Sequence, residues 1–449
     1  MMWLGELAAL LGARMADADA HFSAVSTDSR SIAPGDLFVA LRGERFDGHA
    51  FLAQAKQAGA AAALVDARHQ GECPLPVVVV EDTKRALGEF ARRWRTRFSP
   101  ALVAIAGSNG KTTVKEMLAA ILRAHAGEDK VLYTRGNLNN DIGLPLTLLR
   151  LRAGHTHCAI ELGMNHKGEI AALAAIAQPT AAVVNNAQRE HLEFMNSVEE
   201  VAAENASVYG ALPAGGAAVV NADDGQAPVF RAAAAGRRIV DFGLERAAAV
   251  SGSYTLKGLS SDIVVRTPAG EARATLAIPG VHNVRNALAA AACAFAVGIK
   301  EEAIGKGLTT FRPYTGRLQV KQAKDGATVI DDTYNANPDS VRAAIDVLAA
   351  CPRPTALVLG DMGEVGAQGS AFHREVGAYA LSKKIDSLYA IGDATPHAVE
   401  AFGEGGRHFG SLEELLPHVR AKSILVKGSR FMRMERVVAA LTGATAGGH

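Results

Sequence analysis

The chain has 449 residues, of which 49% are hydrophobic and 21% charged, and a formal net charge of +1. That length exceeds one ordinary core and fits about two or three domains. The balanced charge excludes a global basic field for nucleic acid, and no apolar run reaches the roughly 18 residues needed to span a bilayer.

The first twenty residues, with Glu6 early and no basic n-region, read as a short amphipathic helix and not a secretory signal. The next stretches, 36–41, 61–66 and 75–82, are strand-like, with a helical pattern at 49–60 between the first two. They form a small α/β domain over 1–85. A basic helix at 84–97 serves as a connector, and its cluster "RRWRTRF" (92–98) reads as a solvated helix face.

A larger domain follows over 86–311. Strands at 101–107, 156–163, 180–187 and 217–224 alternate with helices at 112–125, 168–177 and 197–210. Such alternation predicts a parallel sheet with helices on both faces. Residues 250–278 switch to β-type alternation, and helices at 283–297 and 301–310 close the unit. The last domain, 312–449, alternates again and reads as a second, Rossmann-like doubly wound unit. Its strands lie at 328–332, 355–361, 387–392 and 423–429, its helices at 338–350, 370–381, 411–418 and 431–441. The fold class is therefore α/β with three domains. Cysteines 73, 158, 293 and 351 form no CxxC pair. They read as reduced residues of a cytoplasmic protein, with neither a disulfide frame nor a zinc site.

Chemistry concentrates after the strand at 101–107. Gly107, Ser108, Asn109, Gly110, Lys111, Thr112 and Thr113 stand between a buried strand and a helix, the setting of a phosphate-binding P-loop. Glycines let backbone N–H groups turn toward phosphate oxygens, and the helix N-terminus adds positive potential. Lys111 would reach the outer phosphates and the Thr112 hydroxyl would bind Mg²⁺. The strict GxxxxGK[ST] pattern is missed, because Ile105 occupies the first glycine position. Glu161 ends the next strand, on the edge where open α/β sheets bind ligands, and is a second candidate for Mg²⁺. His191 follows a further strand at the same edge, with a metal-ligand and a structural role equally open. No NKxD motif for guanine is present.

The motifs "GSNGKTT", "GNLNNDIGLP", "ELGMNHKGEI", "NNAQREHLEF", "IPGVHNVRNALAA", "GRLQ" and "DDTYNANPDS" occur in this order. Together they resemble the Mur ligases, the ATP-dependent amide-forming enzymes of peptidoglycan stem-peptide synthesis. "VSTDSRSIAPGDLFVALRGERFDGHAF" resembles the N-terminal UDP-binding domain of the last two ligases of that pathway. The resemblance implies ATP and Mg²⁺, and an acyl phosphate formed on the carboxylate of UDP-N-acetylmuramoyl-tripeptide. D-alanyl-D-alanine is the implied amine, and a monomer is expected. By the same resemblance, Lys111, Glu161, His191 and Arg317 carry catalysis, with Thr112, Glu161 and His191 at metal. Asn283 and Asn286 lie near the adenine and ribose; helix capping is the alternative, fitting Asn283 better. Arg317, Asp332, Tyr334 and Asn335 belong to the nucleotide side. Asn137, Asn139 and Asn140 face the muramoyl substrate, although a plain Asn/Gly turn explains that loop nearly as well. Ser29 and Arg30 are candidates for the UDP site or simple turn residues. A hinge is expected at 311–316. No role follows for Lys427 or Arg430.

Many Mur ligases carry a carbamylated lysine where this chain has Asn205, and an amide cannot become a carbamate. Either Glu204 supplies the charge or a metal is held differently. Two other readings stay open: a related amide ligase such as folylpolyglutamate synthase, and a non-catalytic nucleotide-binding regulator.

Overall fold

The computed structural model describes residues 1–16, 18–44, 46–190 and 193–444. Three parallel-type sheets succeed one another along the chain. The first runs Arg14–Ala16, Val77–Val80, Ala62–Asp66, Asp36–Val39, Ala24–Ser26, with only its first strand antiparallel.

The second sheet is parallel throughout. Its order is Arg238–Phe242, Ala217–Asn221, Ala181–Val184, Ala101–Ala106, His157–Glu161, Val131–Tyr133. Ala101–Ala106 is buried beyond its first residue, as expected for a strand covered on both faces. The chain leaves this central strand to build one flank, then crosses to the other. Its C-terminal end is therefore a topological switch point, and the glycine loop sits there. Register sets Glu161 beside Ile105, one strand away from that loop.

Helix Lys111–Ala126 packs on helices Val281–Ala296 and Glu301–Thr310. The alanine-rich composition allows close approach: a Cβ at Gly307 would meet the Ile121 Cα at 2.3 Å. An antiparallel sheet, Ser251–Lys257, Ser260–Thr267 and Gly270–Leu276, covers this layer.

The C-terminal sheet runs Gln319–Gln322, Thr328–Asp332, Ser423–Lys427, Thr355–Gly360, Ser387–Ile391, Gly406–Phe409. Only Gln319–Gln322 is antiparallel. Thus the α/β class and the alternation read from the sequence are present. The strands Val131–Tyr133, Arg238–Phe242 and Gly406–Phe409, absent from the sequence reading, all lie at sheet edges. Cys158, Cys293 and Cys351 are buried free thiols. No described helix is long and apolar enough to cross a membrane.

One expectation is corrected here. The 92–98 cluster is not wholly a solvated face. Arg92 and Arg93 pair with Glu89, but Arg95 is buried. Its guanidinium donates to the carbonyls of Ala177, Gln178 and Phe98. The first two end helix Glu169–Ala177, where carbonyls lack intrahelical partners and negative potential accumulates.

Candidate active site

Gly107 and Gly110 take φ of 126° and 82°, values that side-chain-bearing residues rarely adopt. Gly110 has a second reason to be glycine, since a Cβ there would lie 2.4 Å from the Asn286 side-chain oxygen. The loop is braced from the neighbouring strand by "NN" at 185–186. The Asn109 N–H donates to Asn186 Oδ1 at 2.8 Å, and Asn185 Nδ2 donates to the Asn109 carbonyl at 2.7 Å. Asn185 Nδ2 also reaches Asn286 Oδ1 at 2.9 Å. Asn205 closes the loop's root: its Oδ1 accepts the Gly107 N–H at 2.7 Å.

Lys111 folds back over this cradle. Its Nζ donates to the Gly107 and Ser108 carbonyls at 2.6 and 3.0 Å and to Glu190 Oε1 at 3.0 Å. Nothing in the local pattern singles out Glu190, because its partnership depends on how the loop after Ala181–Val184 folds.

Thr112 and Glu161 meet as expected. The Thr112 hydroxyl donates to Glu161 Oε1 at 3.3 Å, and Asn139 Nδ2 donates to the same oxygen at 2.8 Å. Glu161 Oε2 is buried without a hydrogen-bond partner among the described residues. A hydroxyl and an unsatisfied carboxylate oxygen at a phosphate cradle fit Mg²⁺, which prefers hard oxygen ligands and completes its shell with water and phosphate. No cluster of three or more His, Cys, Asp or Glu that could cage a metal occurs among the described residues. The expectation for His191 lies outside the described residues.

Two cavities flank the loop. One, of about 700 Å³, is lined by Lys111, Thr112, Glu161 and the predicted Asn137, Asn139 and Asn140. The other, of about 430 Å³, is lined by Thr113, Asn283, Asn286, Asp332 and Lys427. Asn109, Gly110 and Arg317 line both. Tyr334 and Asn335 border the larger cavity, apart from Asp332. Ser29 and Arg30 line neither; Ser29 bonds Gln54, and Arg30 pairs with Asp28 on the surface.

Arg317, just after the 311–316 segment where a hinge is expected, lines both cavities beside the loop. Its guanidinium lies over the Tyr334 ring at 4.1 Å, and its buried Nε has no hydrogen-bond partner among the described residues. The C-terminal domain is docked: Asn337 Nδ2 donates to Asn109 Oδ1 at 2.9 Å.

Asn283 does not cap its helix. Gly280 holds the N-cap position of Val281–Ala296, and Asn283 Nδ2 donates back to the Pro279 carbonyl at 2.7 Å. Its Oδ1 accepts from Asn286 at 3.0 Å, as the three-residue spacing predicts.

Lys427, without a role in the sequence reading, is buried and donates to Asp332 Oδ2 at 2.6 Å and the Asn335 carbonyl at 2.8 Å. Burial pushes its ammonium below the usual lysine range, against the pull of Asp332. Paired register on adjacent strands brings the two together. Glu204 is committed elsewhere, since its carboxylate accepts the Gly168 and Ile170 N–H groups at 2.8 and 2.9 Å.

A glycine cradle at a switch point, with a hydroxyl and an acid beside it and a second α/β domain docked over it, defines a P-loop protein with two adjoining cavities. Family comparison makes this specific. The Mur ligase middle domain matches residues 105–294, the Mur ligase glutamate ligase domain 316–430, and the Mur ligase family catalytic domain 21–95. The chain belongs to the Mur ligase family.

A UDP-N-acetylmuramoyl-tripeptide--D-alanyl-D-alanine ligase from Escherichia coli (strain K12) is 40% identical over 98% of each chain. The crystal structure of MurF from Acinetobacter baumannii superposes with a TM-score of 0.90 at 35% identity, covering 98% of each chain. A MurF ligase from Thermotoga maritima, in complex with ADP, gives a TM-score of 0.80 at 27% identity over 93% of this chain and 96% of that one.

Proposed function

We propose that this chain is an ATP-dependent amide ligase that joins D-alanyl-D-alanine to UDP-N-acetylmuramoyl-tripeptide in cytoplasmic peptidoglycan precursor synthesis. One observation carries the reading. A phosphate cradle and an unsatisfied buried carboxylate oxygen lie where a nucleotide-type cavity meets a second, larger one. The relatives' substrates support it, and so does the ADP held by a structural neighbour. The buried free thiols of Cys158, Cys293 and Cys351 fit a reducing compartment.

The chemistry overcomes a poor electrophile. A tripeptide carboxylate oxygen in the larger cavity attacks the γ-phosphorus of ATP, the bridging P–O bond breaks, and ADP leaves. The dipeptide amine then attacks the acyl-phosphate carbonyl. The amine loses its proton, the C–O bond breaks and phosphate departs, leaving the amide. Lys111 turns from its loop carbonyls to the outer phosphates, and Arg317 neutralises charge from the C-terminal domain. Asn283, Asn286 and Asp332 hold the nucleoside side, while Asn137, Asn139 and Asn140 orient the acceptor. Mg²⁺, held by Thr112 and Glu161, would neutralise charge on the phosphoryl group.

ADP release tests the reading when measured with UDP-N-acetylmuramoyl-tripeptide, with D-alanyl-D-alanine, and with both. Turnover is expected only with both. Steady ADP release that ignores either substrate would refute the assignment.

A further inference from the structure

Lys115 is fully buried, one turn into the helix that begins at Lys111. A buried ammonium is seldom retained for stability, because well-packed apolar residues often serve as well or better. What surrounds it suggests another reason. Its Nζ donates to Glu116 Oε1 at 2.6 Å and to the Thr134 carbonyl at 2.8 Å. The rings of Tyr133 and Tyr314 lie 5.9 and 5.7 Å from it, within reach of cation–π attraction.

Each partner leads toward the site. The hydroxyl of Thr134 accepts the backbone N–H of Glu161 at 3.0 Å. Thr134 also opens the segment that ends in Asn139, whose amide holds Glu161 Oε1. Tyr314 belongs to the linker between helix Glu301–Thr310 and the C-terminal sheet, three residues before Arg317. Its hydroxyl lies 3.5 Å from where a Cβ at Gly136 would stand, in the same segment.

We propose that Lys115 is a positioning residue. Its ammonium fixes the 134–140 segment, and with it Glu161, against the phosphate-loop helix, and registers the interdomain linker at Tyr314. The proposal rests on the reading of Glu161 as a metal-binding acid.

The test uses the full chain and Lys115→Met. ADP affinity is measured with Mg²⁺ and with EDTA, and amide hydrogen exchange is followed at 134–140 and 311–316. The variant should keep its metal-free ADP affinity, with a lower thermal midpoint because the Thr134 carbonyl and Glu116 lose their buried donor. It should lose roughly tenfold in the Mg²⁺-dependent gain, the scale seen when groups behind a metal ligand are removed. Exchange should rise in both segments. Unchanged Mg²⁺ dependence and unchanged exchange would overturn the role of Lys115. If the wild-type chain itself gains nothing from Mg²⁺, the reading of Glu161 fails instead. Should the Met variant not fold, Lys115→Gln keeps a donor for the Thr134 carbonyl but removes the charge facing Tyr314. It should free 311–316 while 134–140 stays protected, and unaltered exchange at 311–316 would overturn the link to the linker.

Discussion

Arg189 of the central domain grips Asp339 of the C-terminal domain: its guanidinium donates at 2.6 Å and its backbone N–H at 3.0 Å to the same carboxylate. Glu375 takes the other side of the guanidinium at 2.6 Å and is shared with Arg342. These hydrogen bonds hold the Glu375 carboxyl down at about 2. The joint therefore ties domain docking to the loop that also carries Glu190, the partner of Lys111.

Arg189→Ala should loosen that docking. Charge-assisted hydrogen bonds of this kind, partly exposed, contribute about 1–2 kcal/mol. The docked population should fall roughly 5–30-fold relative to the undocked one. Small-angle scattering of the ligand-free variant should give a larger radius of gyration than wild type. An identical profile would mean that other contacts hold the domains.

In the proposed mechanism Lys111 exchanges its present partners, the Gly107 and Ser108 carbonyls and Glu190, for phosphate. Lys111→Ala should abolish most turnover in a folded protein, and near-normal turnover would remove the loop from the mechanism. Glu190→Gln acts in the opposite sense on binding. Phosphate then no longer competes with a carboxylate, and ADP should bind roughly two- to tenfold more tightly, about 0.4–1.4 kcal/mol. Calorimetric titration of both variants against wild type decides this, and weaker ADP binding by Glu190→Gln would contradict the competition.

Local pattern made much of this site legible. Strand, glycine loop and helix follow one another without interruption, so the cradle and the Thr112–Glu161 meeting could be read from spacing and strand order. Asn283 and Asn286 were legible as one helix face for the same reason. Partnerships made across sheet register or across domains carry no local signal. Lys427 meets Asp332 only because strands far apart in sequence pair, and Arg189 finds Asp339 only once the domains dock. Arg95 misleads because a basic cluster reads as solvated, whereas helix-end carbonyls draw this one guanidinium inside. Of the missed edge strands, Val131–Tyr133 and Gly406–Phe409 have only three and four residues, whereas Arg238–Phe242 has five and is as long as strands that were read.

Asn205 predicts independence from carbon dioxide. Its amide braces the Gly107 N–H, and its Nδ2 donates to the Val201 carbonyl at 3.0 Å. Turnover in carbon-dioxide-depleted buffer should equal that with added bicarbonate. Asn205→Ala should leave the buried Gly107 N–H unsatisfied, costing about 1–3 kcal/mol, visible as a lower thermal midpoint. Bicarbonate stimulation that Asn205→Ala abolishes would contradict this.

His282 predicts an acid-side loss of stability. Burial pushes its imidazole from the ordinary 6.5 down to about 4. The charges facing it oppose one another, Asp332 and Asp346 against Lys427 and Arg285. Between those two values the unfolded chain binds a proton that the folded chain refuses. Stability must then rise with pH across that window and fall as pH drops from about 6.5 to 4. A shift of this size corresponds to at most about 3.4 kcal/mol. Denaturant midpoints for wild type and His282→Asn, taken at pH 7 and pH 4.5, isolate the effect from other groups. The variant should lose less stability on acidification than wild type does, and parallel losses would show that His282 is not the group refusing the proton.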